Sequence, residues 1–151
     1  MHLLEKELRS FSAAHRLVKG YEGKCKHLHG HNYRVLVTLA CEQLDEYGFV
    51  MDFSEVKRLL SHWVQNHWDH CTLVAECDQP LLEFLQAEQM KHFIIPGNVN
   101  TTVEVLAEFL FARFTELLHQ QAAAGIQLIE VKMYETSESA AACRGELGIE
   151  H

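Results

Sequence analysis

The sequence predicts an α+β fold, an antiparallel sheet in the order ββααββ with two helices packed on one face. Three observations carry this. Asp52-Phe-Ser-Glu55 and Thr101-Thr-Val-Glu104 have capping-box spacing, and each precedes apolar residues in an i, i+3, i+4, i+7 rhythm. Residues 31–41 and 126–135 alternate as strands do. At 151 residues, 48% hydrophobic and 23% charged, the chain can bury its own core without disulfides, so 1–151 is read as one domain.

The elements follow in order. A first strand is expected over about 3–14, with imperfect alternation, then a loop from Lys19 to Lys26. In the second strand, 31–41, Tyr33, Val35, Val37 and Leu39 share one face, and His29 and His31 have the same parity. A hairpin between these strands would bring His15 to meet them. The helix opening at Asp52 carries Phe53, Val56, Leu59, Leu60, Trp63, Val64 and His67 on its apolar side. Residues 70–100 read as irregular, with a short helix near 80–89 after Pro80, an extended Phe93-Ile-Ile-Pro96 and a turn at Pro96-Gly97. A helix from Thr101 to about 121 carries Val103, Leu106, Phe109, Leu110, Phe114 and Leu117, and Gly125 is expected to end it in the C′ manner. The strand over 126–135 is apolar on both faces, which predicts cover on both sides. A last strand, 139–147, returns through Thr136-Ser-Glu138. Four strands leave open edges, which pairing into an oligomer would cover.

The net charge of −8 argues against nucleic acid as a direct partner, because binding phosphates needs a basic face. No apolar run approaches the roughly 20 residues that cross a bilayer. The N-terminus, Met-His-Leu-Leu-Glu-Lys-Glu, is charged rather than a signal peptide, so a cytoplasmic location is expected. Five cysteines (25, 41, 71, 77 and 143) at irregular spacing, with no Cys-x-x-Cys pair, read as reduced thiols. Of the 11 histidines, His62, His92, His119 and His151 read as solvated.

His15, His29 and His31 remain, with Cys25 between them. Any one of these histidines alone would read as structural. Three together, two projecting from the same side of a strand start, read as a metal site. Zinc is the natural ion, although iron, copper or nickel also suit imidazoles. Cys25 is either a fourth ligand closing a structural site or a thiolate off the metal, favoured by Lys24 and Lys26. The spacing decides neither. Asp69-His70 is a general acid–base pair or a solvated pair at a helix end; neighbours in a strand point to opposite faces, so direct contact between the two is not assured. Glu135 is a strand-end charge or an acceptor of two hydrogen bonds from an amidine-like ring edge. Glu104 is accounted for by capping.

Taken together, Phe11-Ser-Ala-Ala-His15, Cys25-x-x-x-His29-Gly-His31-Asn-Tyr33, Asp69-His70, Thr102-x-Glu104 and Tyr134-Glu-Thr136 resemble, in order, the 6-pyruvoyl-tetrahydropterin synthase family. That family includes the bacterial 6-carboxytetrahydropterin synthases of queuosine biosynthesis. The resemblance implies the tunnelling fold (T-fold), with subunits joined edge to edge into barrels as a hexamer, a dimer of trimers. It implies His15, His29 and His31 as Zn²⁺ ligands, Cys25 as a catalytic thiol off the metal, and Asp69 and His70 as a catalytic pair acting with a thiol of another subunit. It also implies Glu135 as the pterin anchor and Thr102 as a pterin contact. The substrate it implies is 7,8-dihydroneopterin triphosphate, with Arg16, Lys24 and Lys26 as candidate phosphate contacts. Three residues between Cys25 and His29-Gly-His31 resemble the carboxy branch, so a zinc-dependent lyase releasing acetaldehyde and triphosphate is expected. The alternatives are the pyruvoyl branch and a non-catalytic zinc- or pterin-binding protein. Two features depart from the pattern: Val105 stands where the family has Asn, and the segment from Cys71 to Asn100 is long.

Overall fold

The computed structural model of the chain describes residues 1–146, so the predicted end of the last strand and His151 lie outside the described residues. The strands are β1 (His2–Glu7), β2 (Phe11–His15), β3 (His29–Cys41), β4 (Cys71–Ala75), β5 (His92–Ile95), β6 (Gln127–Tyr134) and β7 (Ala140–Arg144). The helices are α1 (Phe53–Val56) and α2 (His62–His67), joined by a π-helical turn at Lys57–Ser61, then α3 (Gln79–Ala87) and α4 (Val103–Gln121). The sheet runs β5-β4-β2-β3-β6-β7, with β1 also on β3.

The 13-residue β3 organises the sheet. One edge pairs with β1 and β2, and the other with β6. The single strand predicted over 3–14 is two strands. Glu7 opposes Leu36 while Phe11 opposes Tyr33, so four residues advance against three. This bulge resets the alternation. Before it Leu4, Lys6 and Leu8 lean inward; after it Phe11, Ala13 and His15 do. A second irregularity in β6 has the same effect. Thr38 opposes Glu130 and Leu39 opposes Leu128, leaving Ile129 extra. Leu128, Val131 and Met133 are thereby all buried against one core. The apolar residues on both nominal faces of this strand reflect a change of phase rather than cover on two sides.

The main core packs Tyr33, Val35, Val37 and Leu39 of β3 under Val56, Leu59, Leu60 and Val64 and under Leu106, Leu110 and Phe114 of α4. The segment expected to be irregular holds a β-α-β unit, β4-α3-β5. Both β2-β4 and β4-β5 pair in parallel, so the sheet is mixed rather than wholly antiparallel. Helix α3 packs Leu81, Leu82 and Leu85 against Val74 in a second cluster, so the helices are not all gathered into one layer. Phe53 and His67 leave the predicted apolar stripe. Phe53 is exposed at the first turn, and His67 stacks on Trp63 at 4.4 Å between ring centroids.

Both capping signals work differently from expectation. Asp52 accepts from the Ser54 N–H, and Glu55 pairs with Arg58 instead of reaching back. The cap of α4 is Thr102, whose hydroxyl accepts from the Val105 N–H, leaving Thr101 free for another role. Helix α4 ends at Gln121, and Gly125, at φ +88°, makes the turn into β6 rather than the cap. Among the described residues no helix is long and apolar enough to cross a membrane.

Candidate metal centre and active site

His15 and His29 are directly opposed partners on β2 and β3, and His31 lies one inward position further along β3. The ring centroids are 4.7 Å apart for His15–His29, 5.3 Å for His15–His31 and 4.9 Å for His29–His31. One ligating atom from each lies within 4.8 Å of the others, so the three form a group able to hold a metal ion. Their other nitrogens are fixed by backbone. His15 Nδ1 is 2.7 Å from the Thr101 carbonyl, and His29 Nδ1 is 2.6 Å from that of His27. Each carbonyl needs a donor, so Nδ1 carries the proton and Nε2 presents its lone pair. The Nε2 atoms of His15 and His31 are buried without a hydrogen-bond partner, which suits a cation. Thr101, fully buried just before α4, thus orients the His15 ring, a role its position in an apparent capping box concealed.

Burial pushes the His15 imidazole down to about 4, against the Thr101 hydrogen bond, and His29 and His31 push the same way. Burial also lowers His31, opposed by the nearby Glu135 carboxylate. Glu135, one residue beyond β6, keeps the inward phase of Val131 and Met133. Its Oε1 lies 3.5 Å from His15 Nε2 and 3.3 Å from His31 Nε2. Tyr33 packs beside the cluster, its ring 5.5 Å from that of His31, and burial and then Glu135 raise its phenol.

Cys25 occupies a short turn, Lys24–Lys26, leading into β3, and it stands outside the histidine ligand group. Its neighbour Tyr21 had no signal in the sequence. The Cys25 charge, and then a hydrogen bond to its sulfur, raise the Tyr21 phenol. Gly23 makes room for this ring, since a Cβ there would meet the Tyr21 hydroxyl at 2.3 Å. Lys24 and Lys26 are exposed on either side. Arg16 is engaged elsewhere: it forms a two-point pair with buried Asp78, at 2.7 and 2.6 Å, which also caps α3.

Asp69 and His70 touch, contrary to the expectation for strand neighbours, because His70 adopts a left-handed conformation at φ 56°. Asp69 Oδ2 is 3.0 Å from His70 Nδ1, and Asp69 Oδ1 accepts from the Ser12 N–H. Burial would raise the Asp69 carboxyl, but the Ser12 and His70 hydrogen bonds together outweigh it and hold the group below its usual value. His70 is 82% exposed and lines an open groove with Ser12, Ala14, Gly30 and Asn32, of outward parity on β2 and β3, and with Ala13 and His31. Within one chain the pair therefore borders a groove along β2 and β3 that also reaches His31. Thr102 sits at the α4 cap, next to Thr101, and Val105 packs against the core.

The fold and site define a T-fold chain of α+β class with a three-histidine centre. The family model for 6-pyruvoyl tetrahydropterin synthase matches residues 4–146, and the chain belongs to that family. The 6-carboxy-5,6,7,8-tetrahydropterin synthase of Synechocystis sp. is 36% identical over 146 residues, covering 93% of this chain and 92% of the relative. The same-named protein of Rickettsia typhi is 35% identical over 126 residues, covering 83% and 88%. The structure of Caenorhabditis elegans 6-pyruvoyl tetrahydropterin synthase superposes with a TM-score of 0.66 at 27% identity, covering 97% of this chain and 98% of that one.

Proposed function

We propose that this chain is a zinc-dependent 6-carboxy-5,6,7,8-tetrahydropterin synthase. In this reading it takes 7,8-dihydroneopterin triphosphate and water to the 6-carboxy product, acetaldehyde and triphosphate. The observation that carries the reading is the convergence of His15, His29 and His31, the Nε2 atoms of His15 and His31 buried and unpartnered, in a chain whose relatives bear that name over nearly its whole length.

His15, His29 and His31 would hold the ion; neutral imidazoles pre-set by the Thr101 and His27 carbonyls are the usual zinc donor set. Bound there, zinc would supply Lewis-acid polarisation of the substrate's side-chain oxygens. Cys25 would take a proton as thiolate, with the Tyr21 phenol beside its sulfur. His70 would pass a proton at its exposed Nε2, while Asp69 fixes the ring through Nδ1. Glu135 would accept two N–H bonds from the pterin ring edge, and Thr102 would contact the ring. Lys24 and Lys26 are the cations left for the triphosphate, since Arg16 is committed to Asp78.

The exposure of His70 in an open groove supports a site shared between subunits, with Cys25 and the histidines from one chain and Asp69-His70 from another. Strands β5 and β7 end the sheet and are available for edge pairing into the hexamer the family resemblance implies. The test is mass spectrometry of products from the zinc-loaded protein and 7,8-dihydroneopterin triphosphate. A 6-carboxy product with acetaldehyde is the expected result. Absence of turnover with zinc bound would sink the enzymatic reading. The likeness to the C. elegans structure favours one second reading, 6-pyruvoyl formation, which the same spectrum separates by retention of both side-chain carbons.

A further inference from the structure

Glu135 stands in an arrangement that a hydrogen bond does not explain. Its Oε1 is 3.5 Å from His15 Nε2 and 3.3 Å from His31 Nε2, yet neither nitrogen has a hydrogen-bond partner. His15 spends its ring proton on the Thr101 carbonyl, so its Nε2 faces the carboxylate with a lone pair. Two atoms rich in electron density, brought together in a buried site, repel unless a positive charge lies between them. The separations from His15 and His31 match that picture, although the carboxylate stands outside the three-histidine group itself. Ligands of a tetrahedral ion with bonds of about 2.0–2.1 Å stand roughly 3.3–3.4 Å apart.

We propose that Glu135 is itself a metal ligand in the substrate-free protein and leaves the metal when the pterin ring arrives. The proposal rests on the pterin reading above and adds to it: one carboxylate serves two partners in turn. The backbone permits this. The Glu135 N–H is pinned to the Ser139 carbonyl at 3.0 Å in the β6-β7 turn, while the side chain is 27% exposed and makes no hydrogen bond among the described residues to hold it. On the metal, the carboxylate closes the open coordination position against solvent. Off the metal, its two oxygens accept the N–H donors of the ring edge, and the vacated position is open to an oxygen of the substrate.

The test uses the full-length protein loaded with Co²⁺, whose visible spectrum reports its ligands. Cobalt affinity is measured by chelator competition, and binding of unphosphorylated neopterin by its fluorescence, for the wild type, Glu135→Gln and the control Glu138→Gln in the same turn. Glu135→Gln is expected to weaken cobalt binding by at least about tenfold and to change the spectrum. Neopterin is expected to change the wild-type spectrum, and Glu138→Gln to behave as wild type. Unchanged cobalt affinity and spectrum in Glu135→Gln, with neopterin binding lost, would overturn the proposal and leave the pterin reading intact. Cobalt binding weakened in Glu135→Gln, with no neopterin binding even to the wild type, would refute the exchange together with the pterin reading.

Discussion

His15 is held neutral by its surroundings, and this gives the metal-free chain a pH dependence. Its imidazole sits at about 4 in the fold against 6.5 when unfolded. Between these values the unfolded chain binds a proton that the folded chain refuses, so stability rises with pH across the window and falls on acidification. The shift corresponds to at most about 3 kcal/mol, fully present above pH 6.5 and lost by pH 4. Urea titrations of the metal-free protein at pH 7 and pH 4.5 should show it, and His15→Gln should flatten the difference. Cys25 makes a separate prediction, because its sulfur stands outside the ligand group. Cys25→Ala should lower kcat/KM by about 100-fold or more while one zinc per chain remains. Loss of zinc in that variant would instead make the thiol a ligand.

At the scale of elements, Asp78 joins two parts of the molecule that are distant in sequence. Buried, it caps α3 and grips Arg16 just after β2. Asp78→Ala should cost about 2–4 kcal/mol in urea unfolding. Asp78→Asn should cost less, since Asn still caps a helix. The same scale shows what was legible in the sequence. The His29-x-His31 parity on β3, the long stripe of α4 and the motif order were all readable, because side-chain direction in regular elements follows sequence spacing. The division of the first strand was not, because a bulge leaves composition unchanged and only shifts phase. Cys71–Ala75 was missed because all five residues are buried, so no alternation exists to be seen. The contact between Asp69 and His70 depended on a left-handed residue that is not glycine. Thr101 acts through a contact with His15, 86 residues away in sequence, that no local pattern encodes.

For the whole molecule, the exposure of His70 bears on how chains assemble. His15, His29 and His31 share the inward parity of β2 and β3, and His70 opens onto a groove lined by Ser12, Asn32 and His31. If Asp69 and His70 complete the site of another chain, Cys25→Ala and His70→Ala should each be inactive alone yet complement when mixed. Equal mixing, after dissociation and reassembly, should restore about a quarter of wild-type activity by random assortment. Activity that stays at zero in the mixture, with mixed oligomers present by native mass spectrometry, would place the whole site within one chain.

The bulge between Glu7 and Phe11 acts as a switch of polarity for everything downstream of it on β2. It is why an imidazole, and not the methyl of Ala14, faces the centre. Removing a single residue there, such as Arg9, touches none of His15, His29, His31, Cys25, Asp69 and His70. If the ladder with β3 kept its continuity, that deletion would turn His15 outward and send the metal site to solvent. The centre is thus written in counting as much as in chemistry: its identity survives many substitutions in this stretch and not one frame slip.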